Sequence, residues 1–174
     1  MLEATSSYWT KALVARCAGD FEEEELLLRA MVERLEELGD RAYLSTHLMQ
    51  LGLCLVNRGK DEEAQRALER AQEVTSPDDI ADVVGLAALE AVLRARRGEL
   101  DEAQELARRA LTRGDETDNV DVRLDARWSA AEVFELAGRV DEAKALLEES
   151  VEIAERYGHL VAAERARDRF AGGL

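Results

Sequence analysis

The residues that could do chemistry in this chain are two histidines, two cysteines and a large stock of carboxylates. His47 and His159 are the only imidazoles. They fall in different segments, neither stands at a metal-ligand spacing, and neither has a cysteine close by that could form a thiolate–imidazole pair. Cys17 and Cys54 are too few and too widely separated for a disulfide framework, and both lie in largely apolar sequence where small buried thiols are ordinary. The paired carboxylates Glu62-Glu63, Asp101-Glu102 and Asp141-Glu142 are the residue type that general acid–base work or cation binding requires. They recur at equivalent positions, however, whereas a catalytic group seldom needs a copy in every unit. Stabilisation of a helix start by acidic side chains in its first turn accounts for the recurrence, and equally for the run Glu22 to Glu25. The glycines that precede these acids are isolated, so they form no phosphate-cradling loop. The chain reads as a non-enzyme, with no catalytic residue, no metal ligand and no cofactor assigned.

The acids belong to a larger pattern that positions everything else. Ala137-Gly138-Arg139-Val140-Asp141-Glu142-Ala143 has copies at Arg97-Gly98-Glu99-Leu100-Asp101-Glu102-Ala103 and Arg58-Gly59-Lys60-Asp61-Glu62-Glu63-Ala64, with a degenerate one at Ala18-Gly19-Asp20-Phe21-Glu22-Glu23-Glu24. Gly19, Gly59, Gly98 and Gly138 are therefore separated by 40, 39 and 40 residues. A period of this length marks a repeat array in which each unit buries its apolar face against its neighbours. Leu, Ala, Glu and Arg dominate, aromatics are 5% and there is one proline, which is the composition of helices rather than sheets.

The apolar periodicity divides the chain into four helix pairs and one final helix. Helices are expected at about 2–18, 22–38, 41–58, 61–74, 76–96, 99–113, 120–137, 140–157 and 159–170. Gly39-Asp40, the polar stretch 114–119 and Gly158 separate them, while Ala171-Gly172-Gly173-Leu174 is expected to fray. Ser76-Pro77-Asp78-Asp79 predicts a helix start, with Ser76 as N-cap, Pro77 in the first helical position and Asp79 completing a reciprocal cap. The third helix carries Leu44, Leu48, Leu51, Leu53, Cys54, Leu55 and Val56, too many apolar residues for one narrow stripe. It is expected to pack on both flanks or to offer part of that surface to a ligand.

A net charge of −15, from 38 acidic and 23 basic residues, weighs against phosphate neutralisation and against adsorption to an anionic membrane. The N-terminus has no basic segment followed by an apolar run, and no stretch reaches membrane-spanning length, so a cytoplasmic location is expected.

The spacing resembles the tetratricopeptide repeat family, particularly its long-period variants in bacterial regulatory and signalling proteins. Leu51-Gly52, then Gly59, then Ala64, Leu68 and Ala71 stand where that family places its first-helix Leu-Gly pair, its turn glycine, and the small, large and small residues of its second helix. Ala103, Ala107 and Ala110 match in the third unit, and Ala143, Leu147 and Ser150 in the fourth. Glu24 stands where the first unit should have its small residue, which implies looser or differently angled packing there. Glu90-Ala91 replaces Leu-Gly in the third.

The resemblance implies an all-α, right-handed superhelical array of antiparallel helix pairs. It forms a single domain over residues 1–174, with four units at about 2–39, 40–76, 77–114 and 119–157 and a capping helix at 159–171. It further implies a concave groove lined by the first helices, which places Trp9, Leu13, Arg16, Met49, Leu53, Val56, Val92, Arg96, Trp128 and Glu132 on the inner surface, with Ala88, Ala95 and Glu135 beside them. The function expected on that basis is a protein-interaction scaffold that receives a helical or apolar peptide segment, such as an amphipathic helix. The alternative is a self-associating structural or sensor domain of a larger bacterial regulator. No nucleic acid or membrane partner is expected.

Overall fold

The computed structural model describes residues 2–171, and the side chains of residues 7–169. Among the described residues there are nine helices and no strand: α1 (Leu2–Cys17), α2 (Phe21–Leu38), α3 (Arg41–Asn57), α4 (Asp61–Val74), α5 (Ile80–Arg96), α6 (Leu100–Gly114), α7 (Val120–Leu136), α8 (Val140–Arg156) and α9 (Leu160–Ala171). Ala171, expected to fray, is the last residue of α9, and residues 172–174 lie outside the described residues. The all-α pairing expected from the period is present. Two compact units divide the chain, one ending at Asp82 and the other beginning at Val83. In the first, α1 packs on α2, α2 on α3 and α3 on α4; in the second, α6 packs on α7, α7 on α8 and α8 on α9.

The repeated segment has one local structure wherever it occurs clearly. Gly59 and Gly138 have φ of 69° and 74°, a left-handed conformation that a Cβ would strain. Their amides donate to Val56 O and Glu135 O, and the next amides, Lys60 N and Arg139 N, reach back to Leu55 O and Phe134 O. This paired closure satisfies carbonyls that the end of a helix leaves open and reverses the chain in two residues. The helices that follow, α4, α6 and α8, have no side-chain cap at Lys60, Glu99 or Arg139. Their acidic first turns, Asp61-Glu62-Glu63, Asp101-Glu102 and Asp141-Glu142, face the positive end of the helix dipole instead.

Behind each turn the small residues are fully buried. Ala64, Ala103 and Ala143 are at 0% exposure, and the next turn of each helix contributes Leu68, Ala107 and Leu147 to the core. In the second unit of the fold Val84 and Ala88 of α5, Ala110 of α6 and Ala126 of α7 form one cluster. Gly114, at the end of α6, completes the close approach, since a Cβ there would lie 3.5 Å from the Ala126 Cβ and 3.7 Å from Val84 Cγ1.

The start of α5 differs from the expectation. Ser76 to Asp79 form a tight turn, closed by Asp79 N donating to Ser76 O at 3.1 Å, and the helix begins only at Ile80. Asp79 accepts from Asp82 N at 3.2 Å and is the capping residue, while the Ser76 hydroxyl accepts from Asp78 N. Pro77 suits the second position of such a turn as well as the first position of a helix, and it is Asp79 that has a first-turn amide, Asp82 N, within reach.

Candidate functional site

Of the residues expected on an inner surface, the structure keeps some at the surface and withdraws others. Met49, Val56 and Val92 are 4%, 4% and 2% exposed, as are their companions Ala88 and Ala95 at 1% and 3%. These five are core, and their assignment to a ligand face is corrected: α3 and α5 are buried on more than one side, so apolar positions that could line a groove pack between helices. Trp9 and Leu53 are half-buried, and Leu13 is exposed.

In the first unit Trp9 of α1 meets His47 of α3 edge to face, with ring centroids 5.4 Å apart. His47 Nδ1 lies 2.7 Å from Tyr43 O, and because a carbonyl only accepts, Nδ1 carries the proton. Nε2 is buried with no hydrogen-bond partner. Burial holds the His47 pKa below its ordinary value, against the opposing pull of Tyr43 O, Asp82 and Asp40. Ser45 donates to Asp82, which is 1% exposed and whose carboxyl is raised by burial, against the hydrogen bonds from Ser45 and Thr46. Serine, histidine and aspartate thus converge, but the hydroxyl is bonded to the carboxylate and the imidazole to a backbone carbonyl. The hydroxyl-to-imidazole bond that activates a serine nucleophile is not formed.

Arg16 is a junction between three helices. Its Nε lies 2.6 Å from Glu24 Oε1 on α2, and its other arm donates to Gln50 on α3. Glu24, in the position expected for a small residue, is 1% exposed, with Leu28 and Met31 buried beyond it. The Cys54 thiol is pushed up to about 12 by burial and by the neighbouring Glu24. Glu25, also buried, takes charge-assisted bonds from Arg29 at 2.9 Å, Arg58 at 2.5 Å and Lys60 at 2.9 Å. The run of four acids therefore divides: Glu22 and Glu23 face solvent, Glu24 and Glu25 are buried and paired. No group of three possible ligands that could hold a metal ion occurs among the described residues.

In the second unit Arg96 of α5 pairs with Glu132 Oε1 of α7 at 2.7 Å. One turn before Glu132, Trp128 is half-buried, its Nε1 is enclosed with no hydrogen-bond partner, and the Arg165 guanidinium stands 5.1 Å over its ring. Arg169 lies 3.5 Å from Glu135 and 3.9 Å from Glu132. Sequence reasoning placed Trp128, Glu132 and Glu135 together and missed the two arginines of α9. Their spacing of four along a helix was the available signal. Neither Arg16 nor Arg96 is disposed as a lone cation for a peptide carboxylate, since each bonds a glutamate.

The fold is an all-α array of helix pairs, and each compact unit keeps one half-buried tryptophan on a first helix. No family model and no curated protein matches the sequence. Among solved structures the chain is similar to BtubC (BKLC) from P. vanneervenii, with a TM-score of 0.58 and 18% identity, over 88% of this chain and 64% of that one. The chain thus spans less than two thirds of BtubC, and the likeness is one of fold. No helix among the described residues is long and apolar enough to cross a membrane.

Proposed function

We propose that the chain is a tetratricopeptide-type scaffold, cytoplasmic and without catalysis of its own, whose first helices receive a helical or apolar segment of a partner protein. The observation that carries this reading is the half-buried state of the two tryptophans on the first helices. Trp9 on α1 and Trp128 on α7 stay half-buried, whereas Met49, Val56 and Val92 of the intervening first helices are drawn into the core. An indole held on a rigid helix offers large contact area, a hydrogen-bond donor and little rotamer entropy to lose, which is the profile of an interface anchor. Membership in the family is supported by the period, the left-handed turn glycines and the fully buried small residues behind them. Stacked helices present the face already formed, so binding incurs little ordering cost.

A second reading, self-association, is favoured by apolar side chains exposed elsewhere. Val14 and Leu26 in the first unit are 63% and 64% exposed. Immobilised protein exposed to lysate of its source organism, with Trp9→Ala/Trp128→Ala as control, separates the two. Under the scaffold reading a specific protein is retained by the parent and lost by the control, which still melts cooperatively. Full retention by a control that melts like the parent rejects the assigned anchors, and retention of further copies of the chain alone establishes self-association.

A further inference from the structure

The inward side of α9, like that of α6, is built from small residues. Among its described side chains those sent inward are alanines: Ala163 and Ala166 are buried, and Ala162 packs on the cluster of Leu124, Ile153 and Ala154. Leu160 and Val161 are 72% and 41% exposed, and the side chain of Phe170 lies outside the described residues. Charge fixes α9 in place. Arg165 covers Trp128, Arg169 one turn later reaches Glu135 and Glu132, and Arg167 pairs with Glu155 of α8. The basic side of α9 therefore lies along Trp128, Glu132 and Glu135, the α7 residues that a ligand would use. The enclosed Trp128 Nε1 finds no acceptor there.

We infer that α9 is an intramolecular occupant of the α7 face, and that the partner displacing it is a basic amphipathic helix with two arginines one turn apart and an acceptor for the Trp128 indole. This rests on the scaffold reading and names the chemistry of its ligand. The described contacts of α9 are of the kind that yield: alanines bury little apolar area, and half-exposed ion pairs are weak and screened by salt. At 12 residues, α9 is too short to hold a helix once lifted from its neighbours. Its advantage over a free helix is the high effective concentration that covalent linkage provides. A partner offering the same two arginines together with larger apolar side chains and the missing acceptor overcomes that advantage. The net charge of −15 attracts such a segment.

The test uses the full chain carrying Arg165→Ala/Arg169→Ala, and a dye-labelled synthetic peptide copying residues 159–171 as probe. Vacating the face should let the variant bind the peptide about tenfold more tightly than the parent does, and a peptide with both arginines changed to alanine should bind neither. In the unmodified parent, hydrogen exchange at α9 amides should run about a hundredfold faster than at α8 amides, as expected for a segment that opens by itself. Equal peptide affinity for parent and variant, exchange of α9 in step with α8, or loss of cooperative melting in the variant would each overturn the inference, the last because α9 would then be integral to the fold. If the peptide fails while a protein partner is still lost on Trp128→Ala, the scaffold reading survives without its α9 component. If the peptide binds and no partner depends on Trp9 or Trp128, the scaffold reading is the part that fails.

Discussion

Glu24 and Glu25 are adjacent in sequence and buried together, yet they are compensated differently. Glu24 has one cationic partner, Arg16, and one carboxylate oxygen without a hydrogen bond. Removing only one member of a buried pair leaves the other uncompensated, so Arg16→Leu alone should cost about 3–5 kcal/mol. Adding Glu24→Ala, the residue type found at the equivalent positions 64, 103 and 143, should restore most of that loss. Urea unfolding of the single and double variants checks it, and equal losses in both would refute the pairing argument. For Glu25, burial pushes the pKa upward, and the hydrogen bonds from Lys60, Arg29 and Arg58 outweigh it, leaving the carboxyl at about 2. Because that lies below the ordinary value of 4.5, the group's contribution to stability is present above 4.5 and is lost as pH falls from there toward about 2. Melting temperature should drop through this window in the parent and drop less steeply in Glu25→Gln. Parallel curves would contradict the assignment.

The turns and helix ends were legible because they depend on a few adjacent residues. Left-handed glycine followed by acids identifies a turn and the start of the next helix in any context, so the boundaries of α4, α6 and α8 follow closely from the sequence. Ser76-Pro77-Asp78-Asp79 misled because its residue types suit both a cap and a turn, and the competition between Ser76 and Asp79 is decided by which amides lie within reach. Two glycines separate backbone strain from packing. At Gly138 a Cβ would meet nothing within 4 Å but φ is 74°, so Gly138→Ala should lose about 1–2 kcal/mol from conformation alone. At Gly114 a Cβ would make ordinary contacts at 3.5 and 3.7 Å, so Gly114→Ala should be neutral or gain up to about 1 kcal/mol from helix propensity. Thermal or urea unfolding ranks the two variants, and a reversed order would refute the distinction.

At the scale of the whole molecule, the ligand face was only partly legible. Met49, Val56 and Val92 have the same apolar character as Leu13 and Leu53, and helical periodicity places all of them on first helices. Which of them remains at the surface depends on the helices that pack on either side, a property of the assembled units rather than of any segment. Arg165 and Arg169 were overlooked for the same reason, since their meaning lies in what stands opposite them on α7. The division of the chain at Asp82 and Val83 also leaves one indole in each compact unit, Trp9 in the first and Trp128 in the second. Trp9 rests against an imidazole and Trp128 beneath a guanidinium, two neighbours that affect emission differently. The sequence as it stands therefore carries two optical channels, one for each half, through which loosening at either end of the chain can be followed without adding a foreign probe.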